Sequence, residues 1–135
     1  MTKEQKTKLV ETYYQAFNQH NPSGMLECLH EEIQHDMNQG ATQVGKQKFA
    51  QFLDHMSECY LESLKDITVM VSENSDLASA RFIVDGTYLK SDGALPEAHQ
   101  QKYKIKAGTF FEFKNSLISR VTTYYNLSEW INLVK

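Results

Sequence analysis

AGTFFEFKNSLISRVTTYYN, residues Ala107–Asn126, is the stretch that decides the fold. It reads as two long strands joined by a tight turn at Lys114–Ser116. On the first, Tyr103, Ile105, Ala107, Thr109, Phe111 and Phe113 alternate with Lys102, Lys104, Lys106, Gly108, Phe110, Glu112 and Lys114. That is the period of two of a half-buried strand. Past the turn, Leu117, Ser119, Val121, Thr123 and Tyr125 alternate with Ile118, Arg120, Thr122, Tyr124 and Asn126. β-branched and aromatic residues dominate both runs, which suits a pleated sheet. A hairpin carrying such rings makes the back wall of a sheet that curls around a core or a pocket.

Outward from the hairpin, the same period extends upstream. Leu64–Ser72 carries Ile67, Val69 and Val71 on one face, and Leu77–Lys90 carries Ala80, Phe82, Val84, Gly86 and Tyr88. Between that strand and the hairpin lies Ser91–Gln100, a loop holding Asp92-Gly93 and Pro96. A loop of that length is more often functional or mobile than a plain connection. The N-terminal part is helical. Thr2 to about His20 carries Leu9, Val10, Tyr13, Tyr14 and Phe17 as one stripe, with Thr2 and Gln5 set for a capping box. Asn21-Pro22 caps a short second helix, to about His30. Glu31–Gln39 is a short strand, Gly40–Val44 a loop, and Gly45–Tyr60 a third helix with Phe49, Phe52, Leu53, Met56, Cys59 and Tyr60 on its stripe. Ser128–Val134 closes the chain as a short helix carrying Trp130. The order up to that helix, α-α-β-α-β-β-β-β, predicts an α+β fold: a cone-shaped, curled antiparallel (in part mixed) sheet packed on three N-terminal helices. Such a cone has an open mouth and can hold a ligand.

Composition narrows the function. At 135 residues the chain reads as one domain, residues 1–135, long enough for a real core. The net charge of −3 makes nucleic acid a poor partner. No apolar run approaches the ~20 residues of a membrane span. MTKEQKTKLVE lacks the apolar core of a signal peptide, and Cys28 and Cys59 sit inside apolar helical patterns, so a cytoplasmic location with reduced thiols is expected.

Few residues could carry chemistry. His35-Asp36-Met37-Asn38 lies on the short strand, where alternation puts His35 and Met37 on one face and Asp36 and Asn38 on the other. An aspartate facing an apolar cone would have its pKa raised and could take a proton from carbon beside a carbonyl; the other reading of Asp36 is that it points to solvent or caps the Gly40 turn. On the first helix, at least one of Tyr13 and Tyr14 must face the sheet, where a buried phenol can donate to a developing oxyanion. HEEIQH spaces its histidines five apart, whereas a zinc-binding helix needs four, and His20, His55 and His99 read as having no partner at ligand spacing. No metal and no cofactor are therefore expected. Phosphate-binding glycine loops, Gly-x-Ser-x-Gly and Cys-x-x-Cys are all missing from the sequence.

The runs ETYYQAFNQHN, HDMNQG followed by VGKQKFAQFL, and AGTFFEF…LISRVTTYYNLSEWI resemble the nuclear-transport-factor-2-like superfamily. Within it they resemble the SnoaL-like and ketosteroid isomerase-related proteins. The isomerases use an aspartate base with a tyrosine and a protonated aspartic acid as oxyanion donors. The resemblance puts the tyrosine at Tyr13, in the run Tyr-x-x-Ala-x-Asn, and the base at Asp36, with a one-residue offset that leaves Met37 as the alternative. The protonated acid falls on Thr109, a hydroxyl in place of a carboxyl. The resemblance thus implies a small-molecule pocket protein doing proton transfer next to a carbonyl of an apolar substrate, with Asp36, Tyr13 and Thr109 as its catalytic residues. Tyr14, His35, Met37, Phe52, Phe82, Phe111, Tyr125 and Trp130 would form the walls. The alternative of the same fold is a non-catalytic hydrophobic-ligand-binding or assembly module. The resemblance also implies a homodimer, built on an outer sheet face of Phe110, Ile118 and Tyr124.

Overall fold

The structure, a computed structural model, describes residues Met1–Lys135. Helix α1 (Lys3–Asn18) begins at Thr2, whose Oγ1 accepts the Gln5 N–H at 3.1 Å while Gln5 Oε1 accepts the Thr2 N–H at 2.8 Å. This reciprocal pair satisfies two donors that the first turn leaves open. Val10, Tyr13 and Tyr14 form its buried stripe. Helix α2 (Pro22–Glu27) is capped by Asn21, whose side chain accepts the Gly24 N–H at 3.1 Å. It ends short of His30 because sheet pairing takes over: the Cys28 carbonyl accepts the Ile118 N–H at 2.9 Å, and strand β1 (Leu29–Asp36) begins there. Strand β2 (Thr42–Val44) lies where the sequence suggests a loop and pairs antiparallel with β1.

Helix α3 (Lys46–Cys59) runs directly into strand β3 (Tyr60–Val71), with no connecting residue. Strand β3 therefore starts four residues earlier than the sequence pattern suggests. Strands β4 (Leu77–Tyr88), β5 (Gln101–Lys114) and β6 (Leu117–Tyr125) follow, and helix α4 (Leu127–Val134) closes the chain. The six-stranded sheet has the order β2-β1-β6-β5-β4-β3 and is curled and unclosed. All neighbours are antiparallel except β1 and β6, so the sheet is mixed. Helix α1 packs on β3, α3 on β1 and β3, and α4 on β5.

Register sets which side chains share the concave face. Thr123, Thr109 and Ala80 lie in one row across β6, β5 and β4, and Tyr103, Gly86 and Glu62 in another across β5, β4 and β3. The main core, around Val10, Tyr14, Phe49 and Phe111, fills one end of the cone. A second cluster of Tyr88, Tyr103, Ile105, Trp130 and Val134 fills the other. Ile118 departs from the expected outer face: it is fully buried in the main core. The pairing of β5 with β6 slips between Glu112 and Phe113, and a slip of one residue turns a side chain to the opposite face.

Strand β3 is an edge strand, and its exposed backbone groups need partners. Asn18, at the end of α1, supplies them at one point. Its Nδ2 donates to the Leu64 carbonyl at 3.0 Å and its Oδ1 accepts the Leu64 N–H at 2.7 Å. Asn18→Ala removes both bonds and leaves two backbone groups unpaired beside a half-buried helix. The expected loss is about 2 kcal/mol in urea unfolding; an unchanged midpoint would show that this clamp does not hold α1 to the sheet.

Candidate active site

The concave face of the sheet and the helices across from it enclose a cavity of about 790 Å³. Its walls are mostly apolar, with Phe17, Phe52, Phe82, Val84, Ile105 and Trp130 among them. That size and lining match a small-molecule site. The few polar side chains in the wall set what chemistry such a cavity can support.

Glu62 is the carboxylate that the concave face presents. The run Tyr60, Glu62, Leu64 alternates inward along β3. The surrounding protein raises the Glu62 pKa by desolvation, and one hydrogen bond opposes this. That bond comes from Tyr103, whose hydroxyl donates to Glu62 Oε2 at 2.5 Å. Tyr103 and Glu62 are not on neighbouring strands: β4 runs between them, and Gly86 is the residue in that row. A Cβ on Gly86 would lie 2.4 Å from the Tyr103 Cζ and 2.5 Å from its hydroxyl oxygen. The missing side chain is what lets the phenol cross the middle strand. The Tyr103 pKa is pushed far up by burial first and by the Glu62 charge second, so the phenol keeps its proton and remains a donor.

Asp36 sits in the opposite environment, and the expected raised pKa is reversed. Arg120 holds its carboxyl with two bonds, Nε to Oδ2 at 2.7 Å and Nη2 to Oδ1 at 3.0 Å. Thr122 and Thr42 hydroxyls donate to the same carboxyl at 2.5 and 2.6 Å. The hydrogen bond from Arg120 is the largest influence and outweighs desolvation, so the carboxyl lies well below the usual carboxylate range. The reason is alternation. Asp36 pairs across the parallel strand with Thr122, and Arg120 and Thr122 project from the face of β6 opposite Val121 and Thr123, which line the cavity. Asp36 borders the cavity, but all its lone pairs are directed at fixed donors. A carboxylate so held is a poor base.

The other expected site residues separate into groups. Tyr13, Tyr14, His35, Met37, Phe52, Phe82, Thr109, Tyr125 and Trp130 all contribute to the cavity wall. Phe111 does not: it lies beneath the wall with its ring edge-on to Tyr13 and Tyr14, both at 5.9 Å. Tyr13 is buried and its pKa is raised well above normal, mainly by desolvation, so it too stays a protonated phenol. The Tyr14 hydroxyl is buried without a hydrogen-bond partner, and Thr109 shares its hydroxyl with Thr123 at 3.1 Å. The His35 ring packs between Phe49 and Phe52 at 4.7 and 4.5 Å, its Nδ1 unpartnered. Burial lowers its pKa and keeps the imidazole neutral.

A second polar group lies where α3 meets the Ser91–Gln100 loop. Asp92 Oδ1 is 2.8 Å from His55 Nε2, and Asp92 Oδ2 accepts the Tyr60 hydroxyl at 2.7 Å. Cys59 Sγ is 4.0 Å from the same His55 nitrogen. His55, Asp92 and Tyr60 line the cavity. The sequence reading leaves His55 without a partner at ligand spacing, yet Cys59 stands four residues on along the same helix. Glu62 is the other residue it misses. The apolar stripe of α3 runs to Tyr60 and hides the start of β3; the available signal was the alternation Tyr60, Glu62, Leu64 against a lone glycine at 86.

Comparison with known proteins adds the family. The model of the SnoaL-like domain matches residues 10–121. The chain belongs to the SnoaL-like family. This member is similar along its whole length to a solved structure from Silicibacter sp. TM1040, named a candidate polyketide cyclase, with 46% identity and a TM-score of 0.96. The match covers 100% of this chain and 98% of that one. A second candidate polyketide cyclase, from Pseudomonas putida KT2440, shares 44% identity and a TM-score of 0.95 over 100% and 99% of the two chains. An NTF2-like protein from Burkholderia xenovorans LB400 has the same fold at 12% identity, with a TM-score of 0.78 over 100% and 99%. No curated protein matches the sequence.

The notch at Gly86 gives a direct test of this SnoaL-like site. Gly86→Ala places a methyl group where the Tyr103 ring lies. We expect the fold to persist at a cost of about 1–3 kcal/mol, with Tyr103 swung away from Glu62 in a crystal structure. A Tyr103–Glu62 hydrogen bond surviving intact would show that the notch does not position the phenol.

Proposed function

We propose that this SnoaL-like protein is a small-molecule enzyme of the cyclase type, with Glu62 as its acid–base group. The observation that carries this is one carboxylate with a raised pKa, in an apolar cavity, held by a neutral phenol rather than a cation. Such a group is suited to take a proton near neutral pH and to return it. The substrate that fits is an apolar carbonyl compound. Glu62 would remove a proton from carbon beside a carbonyl, giving an enolate. The enolate carbon would bond to a second carbonyl carbon of the same molecule, whose oxygen then takes the proton back from Glu62. Tyr103 orients the carboxyl, and Tyr13, a protonated phenol in the same wall, is the donor to the developing oxyanion. The likeness to two candidate polyketide cyclases at more than 40% identity supports the same reaction class.

Glu62 and Asp36 make opposite predictions. With 2-tetralone as a probe, the protein should accelerate exchange of the α-hydrogens in D₂O, followed by NMR. Glu62→Gln should lose about 100-fold or more of that acceleration, while Asp36→Asn, if folded, keeps it within about three-fold. The wild-type rate should rise with pH through an apparent pKa above the ordinary glutamate value, and Glu62→Gln should lose this limb. The stability sign follows from the same shift. A carboxyl with a raised folded-state pKa favours folding at low pH, and that contribution is lost as pH rises through the folded value. Glu62→Gln should therefore melt no lower than wild type at neutral pH. Exchange by the wild type equal to that of Glu62→Gln would remove Glu62 from the chemistry.

We further propose a homodimer through the convex sheet face. Phe110 and Tyr124 are 57% and 56% exposed and stack edge-to-face at 6.0 Å, an apolar pair on open sheet. Sedimentation should give twice 15.6 kDa, and Phe110→Asp should give a monomer; a monomeric wild type at micromolar concentration would exclude this assembly.

A further inference from the structure

The Asp92 cluster is not used by the acid–base chemistry at Glu62, and its composition is unusual for a plain ion pair. We propose that His55, Cys59 and Asp92 form a binding site for a divalent transition-metal ion of the zinc class, with one coordination position open to the cavity.

The donors come from two elements brought together by the fold. His55 and Cys59 are four residues apart on α3, which puts both side chains on one helix face. Asp92 reaches them from the loop between β4 and β5. Nε2, Sγ and a carboxylate oxygen all lie within 4.8 Å of one another. Around tetrahedral zinc, with bonds of about 2.0–2.3 Å, such atoms stand about 3.3–3.7 Å apart. The His55–Asp92 separation of 2.8 Å and the His55–Cys59 separation of 4.0 Å bracket that range. Binding requires the His55 and Asp92 atoms to part slightly and the thiol to approach. The mixed imidazole, thiolate and carboxylate set suits zinc better than magnesium or calcium, which prefer oxygen alone.

The surroundings hold these donors in place. The Cys59 carbonyl accepts the Leu89 and Lys90 N–H groups at 2.8 and 3.3 Å, tying the helix end to the loop. The Asp92 N–H donates to the Tyr88 hydroxyl at 3.0 Å, and that hydroxyl donates to the Pro96 carbonyl at 2.7 Å. Tyr60 fixes the second oxygen of Asp92, leaving Oδ1 as the ligand atom. An outer hydrogen bond of this kind is how ligating carboxylates are oriented. His55 is exposed and Asp92 half-buried, so an ion can enter, while Cys59 is buried behind them. Binding would replace the His55–Asp92 hydrogen bond and release the Cys59 proton to solvent. A His–Asp ion pair leaves the buried thiol with only its 4.0 Å contact to His55 Nε2; a metal site uses all three as ligands.

The test uses the full chain, stripped with a chelator and titrated with Co²⁺ and Zn²⁺. One equivalent of Co²⁺ should bind, with a thiolate-to-cobalt charge-transfer band in the near ultraviolet and visible bands of tetrahedral intensity. Zn²⁺ should displace it and raise the melting temperature. Cys59→Ser should abolish the charge-transfer band, and His55→Ala, at an exposed position, should weaken Zn²⁺ by about ten-fold or more. Glu62→Gln should bind both ions like wild type, which separates this site from the acid–base reading. No charge-transfer band with the wild type, or a Zn²⁺ affinity unchanged in folded His55→Ala, would overturn the proposal.

Discussion

An ionisable carboxyl inside an apolar cone is the constraint on which the site depends. Burying a charge without a partner is strongly unfavourable, and burying it against a cation often discharges its reactivity. The Tyr103–Glu62 pair takes a third course. A neutral phenol donates to the carboxylate, which lowers the desolvation cost without fixing the charge. That solution needs a donor that can span a strand, and the strand between must give way. Gly86 does so. Three consecutive strands are thus committed at one row, kept aligned by the unbroken pairing of Tyr60–Lys65 with Ile83–Tyr88 and of β4 with β5.

Asp36 shows what the alternative looks like. It has a guanidinium, two hydroxyls and a place at the seam where the parallel strands β1 and β6 meet. Every influence except desolvation favours its charge. The pair is only partly shielded from water, with Asp36 19% and Arg120 36% exposed, so its Coulomb energy is screened and its main effect is to fix register. Two carboxylates on one sheet therefore have different duties, and the difference follows from which face each occupies and what stands opposite.

The fold was legible in the sequence because period and length are. The Ala107–Asn126 hairpin, the helix stripes and the α+β order all follow from local pattern, and the structure has them. The parallel pairing of β1 with β6 was not legible, since it joins segments nearly ninety residues apart and leaves no local trace. Nor was the inward turn of Ile118, which depends on a register slip that alternation alone cannot reveal. The site was less legible than the fold. Most of the wall residues lie along the cavity, because alternation and helix stripes place them. The surroundings of two carboxylates were not legible: Asp36 is held by Arg120 across the seam, and Glu62 follows an apolar α3 stripe that runs unbroken into the strand. A residue type at a family position is an incomplete statement; its partners complete it.

Tyr60 shows how closely the two polar groups of the cavity are joined. It precedes Glu62 by two residues on the same face of β3, and its ring stacks on Tyr88 at 5.5 Å with an interplanar angle of 10°. Its hydroxyl is committed to Asp92, and Tyr88 holds both Asp92 and Pro96. The long loop is therefore anchored to the strand that carries Glu62 through two stacked phenols. Trp130 of α4 packs edge-on against both rings, at 5.9 and 4.9 Å, and against Tyr103 at 5.8 Å. The loop is also continuous with β4 and β5, which carry Gly86 and Tyr103, so the strands and the close-packed rings both link it to the Glu62 row. The loop that borders the cavity and the strand that carries Glu62 are thus joined by two stacked phenols and the tryptophan packed on both, as well as by the Asp92 carboxylate.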